Sequence, residues 1–449
     1  MKYNVLKNFE ANVIVSDNPY QFNEADLFDM ALRINKKRRF LFVSKVLAKH
    51  LAVSPQIPRL TSHLLACHYD KLSTGAEHAF AYKIKDAIQS KQLANVVEQS
   101  LAQPIHLEKK TVIIGFAETA TALGHAFFEK FTGKVQYVHT TREHLVDVEP
   151  VVTFEEEHSH ATSHRVYADA SLFEGAEEVI LVDDEMTTGK TNCNIIRQLQ
   201  QRYPHIKKFT VVAILDFRSQ DAEAMMQTVA DELGISIQSV ALYKSTFTIQ
   251  ETAPLIEQGD AIASEATAAY EMRSFEKELH ASLQMRDSYS AETVVQQANY
   301  YSYSGRFYLN TTQQKQLRHD VERVAETLKQ LRTGGPCLVL GTGEFMFVPM
   351  SIACEMGEDV KFHATTRSPI YANEQSLIYN KFEFQSAEFP GITNFLYNIP
   401  KNTYHDLFIT YERILDERAV AQLVSQLKPY AQNIHIITLG GVGHTLYAR

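Results

Sequence analysis

The chain has 449 residues, 45% of them hydrophobic and 22% charged, with a formal net charge of −9. That length predicts two to four domains, each able to bury a core, and the acidic balance argues against gripping nucleic acid by bulk charge. The longest apolar runs, such as TVIIGFA and VVAIL, have the length of strands and fall far short of a membrane-spanning helix.

Along the chain, EADLFDMALRI reads as a helix and RRFLFVS as a strand, which starts the first domain near the N-terminus. From about residue 111, apolar strands alternate with helical patterns. TVIIGFA is a strand, ATALGHAFFEKF a helix, and VQYVHT and EEVILVDD are strands. TNCNIIRQLQQRY is a helix with Ile195, Ile196 and Leu199 on one face, and KFTVVAILDF is a further strand. Continuous apolar strands separated by helices predict a parallel sheet covered on both faces, hence an α/β fold. Residues 256–297 carry few strand formers and read as a helical connector between a first domain at 1–255 and a second at 298–449. The second domain opens at YYSYSGRFYLN and alternates again through PCLVLGTGEF, DVKFHATTRSP, HDLFITYE and NIHIITLGG. The four cysteines, Cys67, Cys193, Cys337 and Cys354, have no CxxC spacing, and MKYNVLKNFEANV lacks the pattern of a secretory signal. A reduced, cytoplasmic protein is expected.

The two halves look related. Gly115, Glu118 and the Thr-Thr-Arg at 140–142 are answered by Gly341, Glu344 and the Thr-Thr-Arg at 365–367, with 27 and 26 positions between the Gly and the Arg. VILVDDEMTTG is answered by DLFITYERILD. Three matches in the same order predict a degenerate internal duplication.

The chemistry concentrates in VILVDDEMTTGKT, residues 179–191. A helix N-terminus after a strand presents unpaired N–H groups and a positive dipole end, which suit a phosphate. Thr187, Thr188, Gly189 and Thr191 let the backbone curl closely and add donors. Asp183 and Asp184 at the strand tip can accept hydrogen bonds from a vicinal diol, and are hard oxygen ligands suited to hydrated Mg²⁺. Diol-binding acids followed by a monophosphate loop fit a 5-phosphoribosyl group. A P-loop reading of GKT fails because it needs glycine where Asp184 stands, and GTGEFM fails as a dinucleotide fingerprint because Met346 replaces its last glycine.

This stretch resembles the binding signature for 5-phosphoribosyl 1-pyrophosphate (PRPP) of type I phosphoribosyltransferases. More narrowly, the chain resembles the two-domain phosphoribosyltransferases of bacterial tellurite-resistance and stress (Ter) gene clusters. Those join an orotate-phosphoribosyltransferase-like domain to a C-terminal module named TRSP; TTRSP stands here at residues 365–369, and RRFLFVSKVLAKHLAVSP also looks like that family. The resemblance implies that Asp183 and Asp184 bind the ribose hydroxyls, with Mg²⁺ held mainly through PRPP and water. It implies that Glu185 binds PRPP and that the loop from Met186 through Lys190 to Thr191 cradles the 5′-phosphate. It places Gly115, Phe116, Ala117, Glu118 and Thr119 at the pyrophosphate. Residues 142–166, polar and without clear periodicity, take the position of the mobile catalytic loop, and related transferases are often homodimers. Partners from the same stress gene cluster are a further expectation.

Basic groups must offset pyrophosphate charge. Arg142 is the first choice, with Lys190 and Lys45 behind it. His158 and His160, with His164, could bind a transition metal, supply a base toward the incoming nitrogen, or simply sit in a solvated loop beside Glu155, Glu156 and Glu157. The second half lacks the phosphate loop, so independent transfer there is not expected, whereas Arg367 in TTRSP either binds an anion or merely precedes a turn at Pro369. The expected activity is Mg²⁺-dependent transfer of ribose 5-phosphate from PRPP to a nucleobase-like nitrogen. The rival is a PRPP-binding sensor without transfer. No basic helix-turn-helix is visible.

Overall fold

The computed structural model describes residues 2–5, 9–34, 40–155, 163–251, 269–291 and 294–448. Its centre is a parallel arrangement of Phe131–His139, Ile105–Gly115, Glu178–Val182, Lys208–Asp216 and Ser236–Glu251, neighbours in that order. All five residues of Glu178–Val182 are buried. This is the sheet that the continuous apolar runs predict, because a strand covered on both faces needs no polar alternation. Phe9–Asp17 adds an antiparallel strand beside Ser236–Glu251, and Lys2–Val5 forms the edge. The helix Lys190–Arg202 buries Ile195, Ile196 and Leu199 together, as its spacing requires.

The second half repeats this plan. Val360–Ala364, Cys337–Gly341, Tyr404–Tyr411 and Ala431–Thr438 form a parallel sheet in the matching order. Register makes the equivalence specific: Gly115 lies opposite His139 and Val182, and Gly341 lies opposite Ala364 and Thr410. Carried one and two residues onward, Asp183 corresponds to Tyr411 and Asp184 to Glu412. Laying DDE on TYE letter by letter instead pairs Glu185 with Glu412. The backbone shifts that alignment by one residue.

Two expectations are corrected. EADLFDMALRI is helical only over Glu24–Leu27; Phe28–Leu32 is a strand paired antiparallel with Phe40–Ser44. Its Phe and Leu satisfy both periodicities, and the partner strand decides. The helical connector at 256–297 is corrected where described: Met272–Ser274 joins the second sheet, and Leu283–Ala291 pairs with Val294–Tyr301. Helix propensity there yields to long-range pairing.

The halves exchange segments reciprocally. Leu309–Asn310 of the second half pairs with the edge strand Phe131–His139 of the first, while Val53 of the first bridges Phe362 on the second sheet's edge. The hairpin strand Leu283–Ala291 caps His144–Leu145, and Arg33, beside the other hairpin, bridges Ile370. The equivalent helices Ala120–Phe128 and Phe347–Glu355 pack on one another, with His125 stacked on Phe347 at 3.7 Å. One continuous core therefore joins Leu123 and Phe127 to Leu317, Val321 and Met350. Among the described residues no helix is long and apolar enough to cross a membrane.

Candidate active site

A cavity of about 450 Å³ opens at the C-terminal ends of the first sheet's strands, where ligands bind in open α/β sheets. Strand Glu178–Val182 delivers Asp183 and Asp184 to its floor, and Glu185 and Met186 continue along it. Thr187, Thr188, Gly189 and Thr191 form the rim at the start of helix Lys190–Arg202. Gly189 has φ +72°, and a Cβ there would meet the Met226 methyl at 2.7 Å. Replacing it with alanine is expected to cost about 1–2 kcal/mol of stability from the left-handed backbone alone, read by urea unfolding; an unchanged midpoint would sink this account.

The facing wall is the loop after strand Ile105–Gly115. Phe116, Ala117, Glu118 and Thr119 all line the cavity. Gly115 sits beneath them, where a Cβ would meet the Ala120 carbonyl oxygen and the Tyr137 hydroxyl at 2.7 Å. The Ala117–Glu118 peptide is cis. Thr140 Oγ1 accepts the Ala117 N–H at 2.8 Å and ties the loop to the Thr-Thr-Arg segment. The Arg142 guanidinium approaches the Glu118 carboxylate at 3.5 Å. Burial raises the Glu118 carboxyl above its ordinary value despite the arginines and Lys49 nearby.

Most of the expected site residues thus converge on one cavity. Lys190 does not line it, and its side chain is exposed. Lys45 turns instead to Asp29 at 3.5 Å, on a different cavity. His158 and His160 lie outside the described residues, whereas His164 is buried with Nδ1 2.9 Å from Thr140 Oγ1. Within the described part of the 142–166 segment, Val152–Glu155 pairs antiparallel with Ser163–Val166, and Val152, Phe154 and Val166 are buried. Residues 156–162 of that expected loop lie outside the described residues.

Sequence reasoning missed Lys49. Its Nζ meets Asp184 Oδ2 at 2.9 Å across the cavity. Burial by itself would raise the Asp184 carboxyl, but the Lys49 ammonium and two hydrogen bonds hold it below its ordinary value. Lys49 follows Ala48, whose φ is +63° and whose carbonyl accepts the Ala364 N–H. The only signal was the resemblance of the surrounding segment.

The second half has an equivalent place, and it is filled. Gly305 (φ +98°) accepts the His139 N–H as Ala48 accepts that of Ala364, so Arg306 corresponds to Lys49. Arg306 is 1% exposed and reaches Glu344 at 2.7 Å, Glu412 at 2.8 Å and Glu143 at 3.2 Å. Arg413 also pairs with Glu143 and Glu412. Burial next to Glu412 pushes the Glu388 carboxyl up to about 8, which relieves the acidic excess.

A family model described as a phosphoribosyl transferase matches residues 27–246, and one described as the TRSP domain C-terminal to it matches residues 303–427. Similar solved structures include a hypoxanthine phosphoribosyltransferase from Staphylococcus aureus, at 11% identity and TM-score 0.20 over 38% of this chain and 69% of that one. An orotate phosphoribosyltransferase from Aeropyrum pernix shares 15% identity over 38% and 78%, with TM-score 0.19. An adenine phosphoribosyl transferase from Trypanosoma brucei shares 15% over 39% and 76%, with TM-score 0.22. No curated protein matches the chain.

Proposed function

The chain belongs to the phosphoribosyl transferase family whose domain is followed by a TRSP domain, and from that premise we propose that it transfers ribose 5-phosphate from PRPP to a nucleobase-like nitrogen. The bond from ribose C1 to the pyrophosphate oxygen breaks and a C1–N bond forms. Pyrophosphate leaves, and the acceptor nitrogen gives up a proton. The observation that carries this reading is the convergence of the phosphate-loop rim, the paired Asp183 and Asp184, and the Glu118 loop on one cavity.

Each part has a task. The helix N-terminus and Thr187, Thr188 and Thr191 receive the 5′-phosphate, while Asp183 and Asp184 accept hydrogen bonds from the ribose diol. The Glu118 loop and Arg142 face the pyrophosphate, where negative charge develops as C1 takes on cationic character. Asp183 and Asp184 also suit the edge of a Mg²⁺ ion held chiefly by PRPP oxygens and water; among the described residues no cluster of three His, Cys, Asp or Glu side chains forms a cage of its own. That ion would supply charge neutralisation at the leaving group. The TRSP match at residues 303–427, with the resemblance to Ter-cluster transferases, favours a stress-linked pathway.

The test is pyrophosphate release from Mg²⁺·PRPP with a panel of nucleobases and a metabolite extract. Acceptor-dependent release that disappears in the Asp183→Asn, Asp184→Asn double variant supports transfer. PRPP binding with no release from any mixture replaces the enzyme by a sensor.

A further inference from the structure

The two halves repeat one another's loop contacts almost bond for bond. In each, the Glu of the loop accepts the backbone N–H of the other half's Thr-Thr-Arg: Arg367 N–H to Glu118 Oε1 at 3.1 Å, and Arg142 N–H to Glu344 Oε1 at 2.9 Å. In each, a threonine holds the loop: Thr140 Oγ1 accepts the Ala117 N–H at 2.8 Å, and Thr365 Oγ1 that of Gly343 at 3.0 Å. Tyr167 and Tyr397 are equivalent as well, accepting the N–H of Leu145 and of Ile370.

The repetition fails at the arginine side chain. Arg142 sends its guanidinium to Glu118, the carboxylate of its own half, and symmetry would send Arg367 to Glu344. Instead Arg367 Nε lies 3.5 Å from Glu118 Oε2, the same distance as Arg142 Nη1 from that oxygen. Glu344 takes Arg306 in its place. Both Thr-Thr-Arg arginines therefore line the first cavity. We propose that Arg367 binds the pyrophosphate group of PRPP opposite Arg142, so that the second half completes the site of the first.

This rests on the reading that the cavity takes PRPP. At 3.5 Å neither guanidinium makes a close hydrogen bond to Glu118. A pyrophosphate offers negative charge and oxygen pairs that suit guanidinium forks. The Phe389 ring, 5.0 Å from the Arg367 guanidinium, supports its orientation.

Calorimetry with Mg²⁺·PRPP, pyrophosphate and ribose 5-phosphate, each alone, tests the assignment. Arg367→Ala is expected to weaken PRPP and pyrophosphate about 10- to 100-fold and to leave ribose 5-phosphate within about twofold. Arg367→Lys recovers part of the loss, keeping the charge without the fork. Equal weakening of ribose 5-phosphate means that Arg367 merely supports the fold and overturns the proposal. Wild-type protein that binds PRPP and pyrophosphate no better than Arg367→Ala overturns this proposal alone. Wild-type protein that binds neither overturns the PRPP reading with it.

Discussion

Arg306→Met is expected to lower the unfolding free energy by about 3–5 kcal/mol, the usual consequence of stranding a buried partner charge. Arg306 is enclosed by Glu143, Glu344 and Glu412 at 3.2, 2.7 and 2.8 Å. Without it Glu143 and Glu412 keep Arg413, while Glu344 loses its ion pair. Burial alone would raise the Glu344 carboxyl; Arg306, ahead of His139 and Arg367, reverses that and holds it well below the ordinary range. A depressed carboxyl contributes stability that is fully present above its unfolded value of 4.5 and is lost as pH falls through the lower folded value. The wild type should therefore lose stability in acid faster than the variant, and the gap between them should narrow. Urea unfolding at neutral and acid pH reads both effects; equal midpoints at neutral pH would sink the argument. The same contact reaches the first site, because Glu344 also accepts from Thr141 Oγ1 and from the Arg142 N–H.

What the sequence could disclose follows from how its contacts are distributed. The floor and rim of the cavity were legible because Asp183 to Thr191 are contiguous and their residue types answer one local demand, a strand tip turning into a helix over a phosphate. The duplication was legible through Gly115 and Gly341 and the paired Thr-Thr-Arg segments, since the same loop geometry requires the same residues in each half. Lys49 was not, because it meets Asp184 from 135 positions away. The second half requires of its counterpart only a left-handed residue followed by a cation, which Gly305 and Arg306 satisfy with little shared spelling. Arg367 lies 249 positions from Glu118 and could be read equally as a turn residue. Met272–Ser274 and the hairpin of Leu283–Ala291 and Val294–Tyr301 hid behind a helix-forming composition because the sheets they join, through Ala431–Thr438, His144–Leu145 and His444–Ala448, are remote in sequence.

Lys49→Met is expected to weaken PRPP binding at neutral pH about tenfold or more and to move the acid limb of the binding profile to higher pH. The sign follows from the pair. Burial raises the Asp184 carboxyl, and Lys49 is the first of the influences that bring it below 3.8. With Lys49 removed, burial goes largely unopposed and the carboxyl keeps its proton to higher pH, where it accepts hydrogen bonds from a ribose diol less well. Lys49 is itself raised above 10.5: burial would lower it, but Asp184, followed by Glu185 and Glu118, prevails. The ion pair therefore stabilises the wild type from above the unfolded carboxyl value up to the unfolded amine value. It fades as pH falls through the folded Asp184 value or rises through the folded Lys49 value. Lys49→Arg, which brings the cation that the second half places against Glu412, should retain the wild-type acid limb. PRPP titrations from mildly acid to neutral pH decide the matter. If Lys49→Met binds more weakly but with an unmoved acid limb, Lys49 contacts PRPP directly and does not act through Asp184. If neither changes, the cavity floor has been misassigned, because no route to the diol through Asp184 can ignore the charge that keeps it ionised.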